Sequence, residues 1–176
     1  MAHAEAEAAA LSGVLRITWV ADDLAHVLQH SQTDETTGTW TGLACPGHGL
    51  EIGADVDNAT LQRLAHGEIA DLIWEAPGDF TAEHAQLCLA AVTAYQAGDH
   101  ETAEQLWEQL RCLWSRAWSA NHYAIWLMQN SGLTRFFPEK PQRWVVASFE
   151  HHTGPHGIDH PHIHNIVVTA LTTGPS

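Results

Sequence analysis

The chain predicts an α+β fold, an antiparallel-type central sheet covered by helices on one face. Three observations predict it. Short runs rich in β-branched and aromatic residues recur at Val14–Val20, Ala70–Ala76, Arg143–Phe149 and Ile163–Leu171. Between the second and third runs lies a long stretch with apolar side chains at three-four spacing. The 176 residues, 45% of them hydrophobic, suffice for one buried core. Strands set apart by long helical stretches leave a sheet that helices must cover.

Residues 1–12 are rich in Ala and Glu and read as a flexible, weakly helical extension, leaving 13–176 as a single domain. Val14–Val20 alternates in polarity, as a half-buried strand does. Asp22 or Asp23 then offers a carboxylate to cap a short helix from Asp23 to about His30. Residues 31–60 carry Thr, Gly and Asp throughout and read as loop, followed by a helical turn from Leu61 to Ala65. The second strand, Ala70–Ala76, is stopped by Pro77-Gly78.

A helix opening near Thr81 runs to about Gln96 through Ala85, Leu87, Leu89, Ala90 and Val92. Ala97-Gly98-Asp99 breaks it. The longest helix runs from Glu101 to about Asn130 and is ended by Gly132. Its stripe of Leu106, Trp107, Leu110, Leu113, Trp114, Ala117 and Trp118 reads as core, and Tyr95 and Tyr123 read as packing residues. The segment AYQAGDHETAEQLW resembles one tetratricopeptide hairpin, but a single unit makes no array.

Seven Lys and Arg face 21 Asp and Glu, a formal charge of -14. That balance argues against a broad basic surface for nucleic acid. Arg16, Arg63, Arg135, Lys140 and Arg143 are the cations offered to phosphate, so any salt dependence of binding should be shallow. Three cysteines, Cys45, Cys88 and Cys112, form no CxxC pair and fit a reducing compartment. The opening MAHAEAEAAA lacks the features of a signal peptide, and no run is apolar enough to span a bilayer. A soluble cytoplasmic protein without a membrane partner is expected.

The segment FEHHTGPHGIDHPHIHNIVV, residues 149–168, holds six of the fourteen histidines. His162 and His164 stand two apart on an expected strand, so they point to one face. His151 ends the preceding strand. If the two strands pair, the loop between them brings three imidazoles together. Three neutral imidazoles suit a divalent ion and leave coordination positions open. Asp159, Glu150 or His160 could supply the outer hydrogen bonds that set the tautomers. His152 faces opposite His151 on an extended strand and is the weaker candidate. The plain alternative is a histidine-rich surface loop without a role.

These residues resemble a known family. His162-Ile163-His164 is similar to the HUH motif of rolling-circle and conjugative endonucleases. Phe149 to Thr153, then His162 and His164, then Ile166-Val167-Val168, resembles the third motif of conjugative relaxases of the TraI/TrwC (MobF) kind. His152 stands where that motif has an acid. Upstream, Trp40-Thr41-Gly42, Gly49-Leu50, Gly53, Val56-Asp57, Leu64 to Gly67 and Asp71 to Pro77 resemble further blocks of these relaxases, in the same order.

The resemblance implies an enzyme that nicks single-stranded DNA at an origin of transfer, among other conjugation and relaxosome proteins. It implies His151, His162 and His164 as ligands of a divalent ion, Mg²⁺ or Mn²⁺ with Zn²⁺ as the further option. It implies Asp71 as the residue that orients or deprotonates the nucleophile. The family nucleophile is a tyrosine after the first strand, and the first 94 residues hold none. His26 is the nearest positional match, then His30. A neutral, oriented imidazole is a competent nucleophile. Relaxase domains of this kind usually continue past the HUH strand, and this chain stops shortly after it.

Two other readings compete. One is a relaxase-like module that binds DNA or metal and has lost the nucleophile. The other is a histidine-triad nucleotide hydrolase, from His160-Pro161-His162-Ile163-His164, which would need no metal.

Overall fold

The computed structural model describes residues 14–21, 37–65, 68–130, 144–153 and 159–169. The expected extension 1–12, the helix of Asp23–His30 with its His26, and Gly132, Arg135, Lys140 and Arg143 lie outside the described residues. Among the described residues, five strands form one sheet: β1 (Val14–Ala21), β2 (Thr39–Trp40), β3 (Glu68–Glu75), β4 (Trp144–Thr153) and β5 (Asp159–Thr169). Their order is β1-β3-β5-β4-β2, and every pairing is antiparallel. Among the described residues three α-helices accompany them: α1 (Asn58–Leu64), α2 (Gly78–Gln96) and α3 (His100–Asn130). The fold is α+β, as the sequence predicts.

Local chemistry sets the helix ends. Asp57 caps α1, its side chain accepting from the Thr60 amide at 2.8 Å. Gly98, at φ 80°, turns the chain between α2 and α3. Asp99 then accepts from the Thr102 amide at 3.1 Å and starts α3. Residues 31–60 are less loop-like than their composition implies. They hold β2, a bridge from Thr39 to Asp55, a 3-10 turn at Cys45–His48 and the start of α1. Those pairings are made with distant strands, which local composition does not report.

The period of two divides the sheet into two faces. Ala70, Leu72 and Trp74 of β3, Trp144 and Val146 of β4, and Ile163 and Val167 of β5 meet α2 and α3. The helices answer with Phe80 from α2 and Leu113, Trp114, Ala117, Ala120 and Ile125 from α3. The alternate residues, Ile69, Val145, Ala147, Phe149, Ile166 and Val168, meet Trp40, Cys45, Leu61 and Ala65 on the opposite face. The Trp-x-Gly and Leu-Ala blocks of the relaxase resemblance therefore build the cover of this second face. Gly42 is required there, since a Cβ would stand 2.2 Å from the Trp144 carbonyl oxygen.

Some aromatic side chains depart from the expected core. Trp107 is 38% exposed and Tyr95 is 61% exposed on the outer sides of α3 and α2. The three-four stripe is wide enough that its margin reaches solvent. Tyr123 does pack, stacking on Trp126.

A buried polar network ties α3 to the sheet. Asn165 of β5 and Asn121 of α3 exchange amide hydrogen bonds at 2.8 and 2.9 Å. Asn165 also donates to the Leu72 carbonyl and accepts from the Ser148 hydroxyl. Such a network fits only one register of β3, β4 and β5. It therefore sets the height of His162 and His164 along the sheet.

Candidate metal centre

Antiparallel register places His151 directly opposite His162, and Phe149 opposite His164. All three histidines project from the face that α2 and α3 leave uncovered, beyond Ile166 and Phe149. The segment expected as a loop between the strands is mostly strand. β4 runs on to Thr153 and β5 begins at Asp159, with a register shift past His151. The histidines thus stand on rigid, paired backbone.

The three imidazoles are close neighbours. Ring centroids are 5.3 Å apart for His151 and His162, 5.1 Å for His151 and His164, and 4.9 Å for His162 and His164. His151 and His164 are buried, and His162 is partly buried. Asp71 of β3 is fully buried, and its Oδ2 lies 2.7 Å from Nδ1 of His164. The His160 carbonyl lies 2.6 Å from Nδ1 of His162. With Nδ1–H donating in each case, Nε2 of both rings is left with its lone pair. This is the arrangement by which an outer acceptor fixes an imidazole for ligation. Burial pushes the His162 pKa below the ordinary imidazole value, partly opposed by the hydrogen bond to the His160 carbonyl. A lowered value favours the neutral, ligating form.

Among the described residues, no group of three or more His, Cys, Asp or Glu side chains is spaced, as it stands, to hold a metal ion. Acceptors beside His162 and His164 fix their tautomers, while the three rings do not stand formed as a metal site.

The other expected partners are placed differently. Asp71, expected beside the nucleophile, is bound to His164, and its relation to His26 lies outside the described residues. Glu150, expected to support the triad, points to the helix face instead, because it is one residue out of phase with His151. There it meets Nε2 of His152 at 3.0 Å and accepts from the Trp118 indole. The Asp159 side chain lies outside the described residues. Arg16 pairs with Glu75, and Nε2 of His160 lies 3.9 Å from the same carboxylate. One of the few cations expected to meet phosphate is thereby engaged at the rim of the triad.

A second group went unnoticed in the sequence. His84 and Cys88 of α2 stand near His152 and Glu150 on the helix face, beside an open cavity of about 550 Å³. The spacing of four between His84 and Cys88 on one helix was the available signal.

No family model matches the chain, and no curated protein matches it. Among solved structures, the fold is similar to that of the conjugative relaxase TrwC in complex with oriT DNA, in a metal-free structure. The identity is 15% and the TM-score 0.46, over 88% of this chain and 56% of that one. The chain thus spans little more than half the length of that relaxase. The likeness concerns the course of the backbone, and no site residue is transferred through it.

Proposed function

We propose that the chain is a divalent-metal-dependent enzyme that nicks and transfers single-stranded DNA, acting in the manner of an HUH relaxase. One observation carries the reading: three imidazoles from two paired strands converge on one sheet face, with the inner one anchored by a buried carboxylate. Imidazoles bound to one ion at about 2.1 Å and near-tetrahedral angles would have ring centroids roughly 5 Å apart. The observed separations of 4.9 to 5.3 Å are near that figure, so side-chain rotation on a fixed backbone would complete a site that does not stand formed.

His151, His162 and His164 would hold the ion. A bound Mg²⁺, Mn²⁺ or Zn²⁺ would supply Lewis-acid polarisation of a phosphoryl oxygen. The chain's own residues do the rest. Asp71 keeps the Nδ1 proton of His164 and thereby raises the basicity of its Nε2. The His160 carbonyl does the same for His162. Phe149 and Ile166 wall off the inner side, so the open side accepts the scissile phosphate. His26 is the proposed nucleophile, taking up the 5′ phosphate and releasing the 3′ hydroxyl. The partner is single-stranded DNA at an origin of transfer, within a cytoplasmic relaxosome. Among the described residues, no helix is long and apolar enough to cross a membrane.

The test is a nicking assay on a pool of labelled single-stranded oligonucleotides with Mn²⁺ or Mg²⁺, run on a denaturing gel. A cleaved or covalent product absent in both His162→Ala and His26→Ala supports the full reading. A product lost only in His162→Ala keeps the metal site and moves the nucleophile elsewhere. DNA bound without cleavage returns the binding module, which the charge of -14 and the Arg16–Glu75 pair favour. Nucleotide hydrolysis that survives a chelator would identify the histidine-triad alternative.

A further inference from the structure

We propose that the cavity between α2, α3 and the end of β4 binds a small organic cation, a flat amidinium or guanidinium head on an apolar body. The cavity measures about 550 Å³ and lies on the helix face, away from the triad. That is the size of a small-molecule site, and its make-up is that of one: a mostly apolar wall with a few polar groups. Trp107, Trp114 and Trp118 line it, with Leu110 beside them. Spacings of seven and four put the three indoles on one side of α3. Trp107 is still 38% exposed, so the lining reaches solvent and a guest can enter there. Indole faces attract cations, and a guanidinium-type head is weakly hydrated and stacks on aromatic rings.

Charge decides the sign of the guest. Two charged residues line the cavity, Arg111 and Glu150. Arg111 is turned to Glu108, its Nε donating to Oε2 at 2.8 Å, and that pair is neutral in sum. Glu150 therefore gives the lining a negative sign. Its side chain is only 15% exposed, so its field is screened less than that of a surface carboxylate. Nε2 of His152 lies 3.0 Å from its Oε1, and the Trp118 indole donates to its Oε2. These contacts fix the carboxylate at the cavity wall. A carboxylate has about four lone-pair sites, so it accepts from a guest beside donors of its own chain. His152 is in turn seated against Trp114, with centroids 4.7 Å apart, and against the buried His84. Among the described residues, these His, Cys and Glu side chains are not spaced to hold a metal ion. An anion would meet Glu150 directly, within a chain whose formal charge of -14 already repels it and concentrates cations.

Calorimetric titration of the whole chain with benzamidine tests this, with uncharged benzamide and anionic benzoate as comparisons. Benzamidine should saturate at one equivalent, and the other two should bind about tenfold more weakly or less. Glu150→Gln should weaken benzamidine by about tenfold or more, and Trp107→Ala by roughly fivefold, while His162→Ala leaves it unchanged. No saturable binding, benzamide or benzoate held as tightly as benzamidine, or a folded Glu150→Gln that binds unchanged overturns the proposal. Should Glu150→Gln fail to fold, Trp107→Ala decides, and unchanged affinity there overturns it. A short alanine peptide with one arginine, run in competition, separates the two sources of such a head. Displacement of benzamidine supports a cation carried by a protein, and binding of benzamidine undisturbed by the peptide supports a free small molecule. The outcome is independent of the nicking assay, since the titration needs neither DNA nor a divalent ion.

Discussion

His151 and His152 are neighbours in the chain and lie in different side-chain clusters on opposite faces of the sheet. His151 lies on the sheet face with His162 and His164, where the buried Asp71 carboxylate backs the cluster. His152 lies on the helix face with His84, Cys88 and Glu150, enclosed by the tryptophans of α3. The difference teaches that the alternation of a strand, and not the density of histidines, decides which imidazoles act together. One cluster lies on the face that α2 and α3 leave uncovered. The other lines a cavity of about 550 Å³ on the helix face.

The largest expected effect separates the faces functionally. His164→Ala should lower metal-dependent nicking on the order of a thousandfold, while His152→Ala leaves it within a few fold, measured by single-turnover assays. Comparable losses in both variants would mean that the two faces do not act separately.

The second effect bears on the cover of the triad face. Gly42→Ala forces a Cβ into the Trp144 carbonyl and should cost about 3 kcal/mol, read by denaturant unfolding. A stability unchanged within error would mean that β2 does not press against β4 as described.

The third concerns the register that both faces share. Asn165→Ala removes the partner of Asn121 and Ser148 and should cost about 2 kcal/mol. It should also weaken divalent-ion binding at the proposed triad, because the network sets the strand heights there. Unchanged binding would show that the triad does not depend on this register.

Asp71→Asn sharpens the comparison further. It should lower divalent-ion affinity at the triad by roughly 10–100-fold, read by Mn²⁺ titration. The smallest effect is a control remote from both faces. Hydrogen bonds from Thr102 hold the Asp99 carboxyl below the usual carboxylate range. Its contribution to stability is therefore present above the unfolded value near 4 and lost as pH falls through the lowered folded value. Asp99→Ala should give a slight drop in melting temperature at neutral pH that vanishes in acid, with any divalent-ion binding unchanged.

The sequence by itself determined the α+β class, the strands around Val14, Asp71, Val146 and Ile166, and both long helices, because local periodicity and turn residues carry those signals. It also singled out His151, His162 and His164, since a spacing of two on a strand settles which side chains share a face. Only the tertiary structure decided the rest. Pairing β3 beside β5 put Asp71 on His164, a contact made across 93 residues that no local pattern encodes. The phase of β4 sent Glu150 away from the triad and toward His152. Docking α2 against that strand end brought His84 and Cys88 to the same place. Each of these depends on which strands become neighbours, and that is settled by burying two sheet faces at once rather than by any segment's own preference.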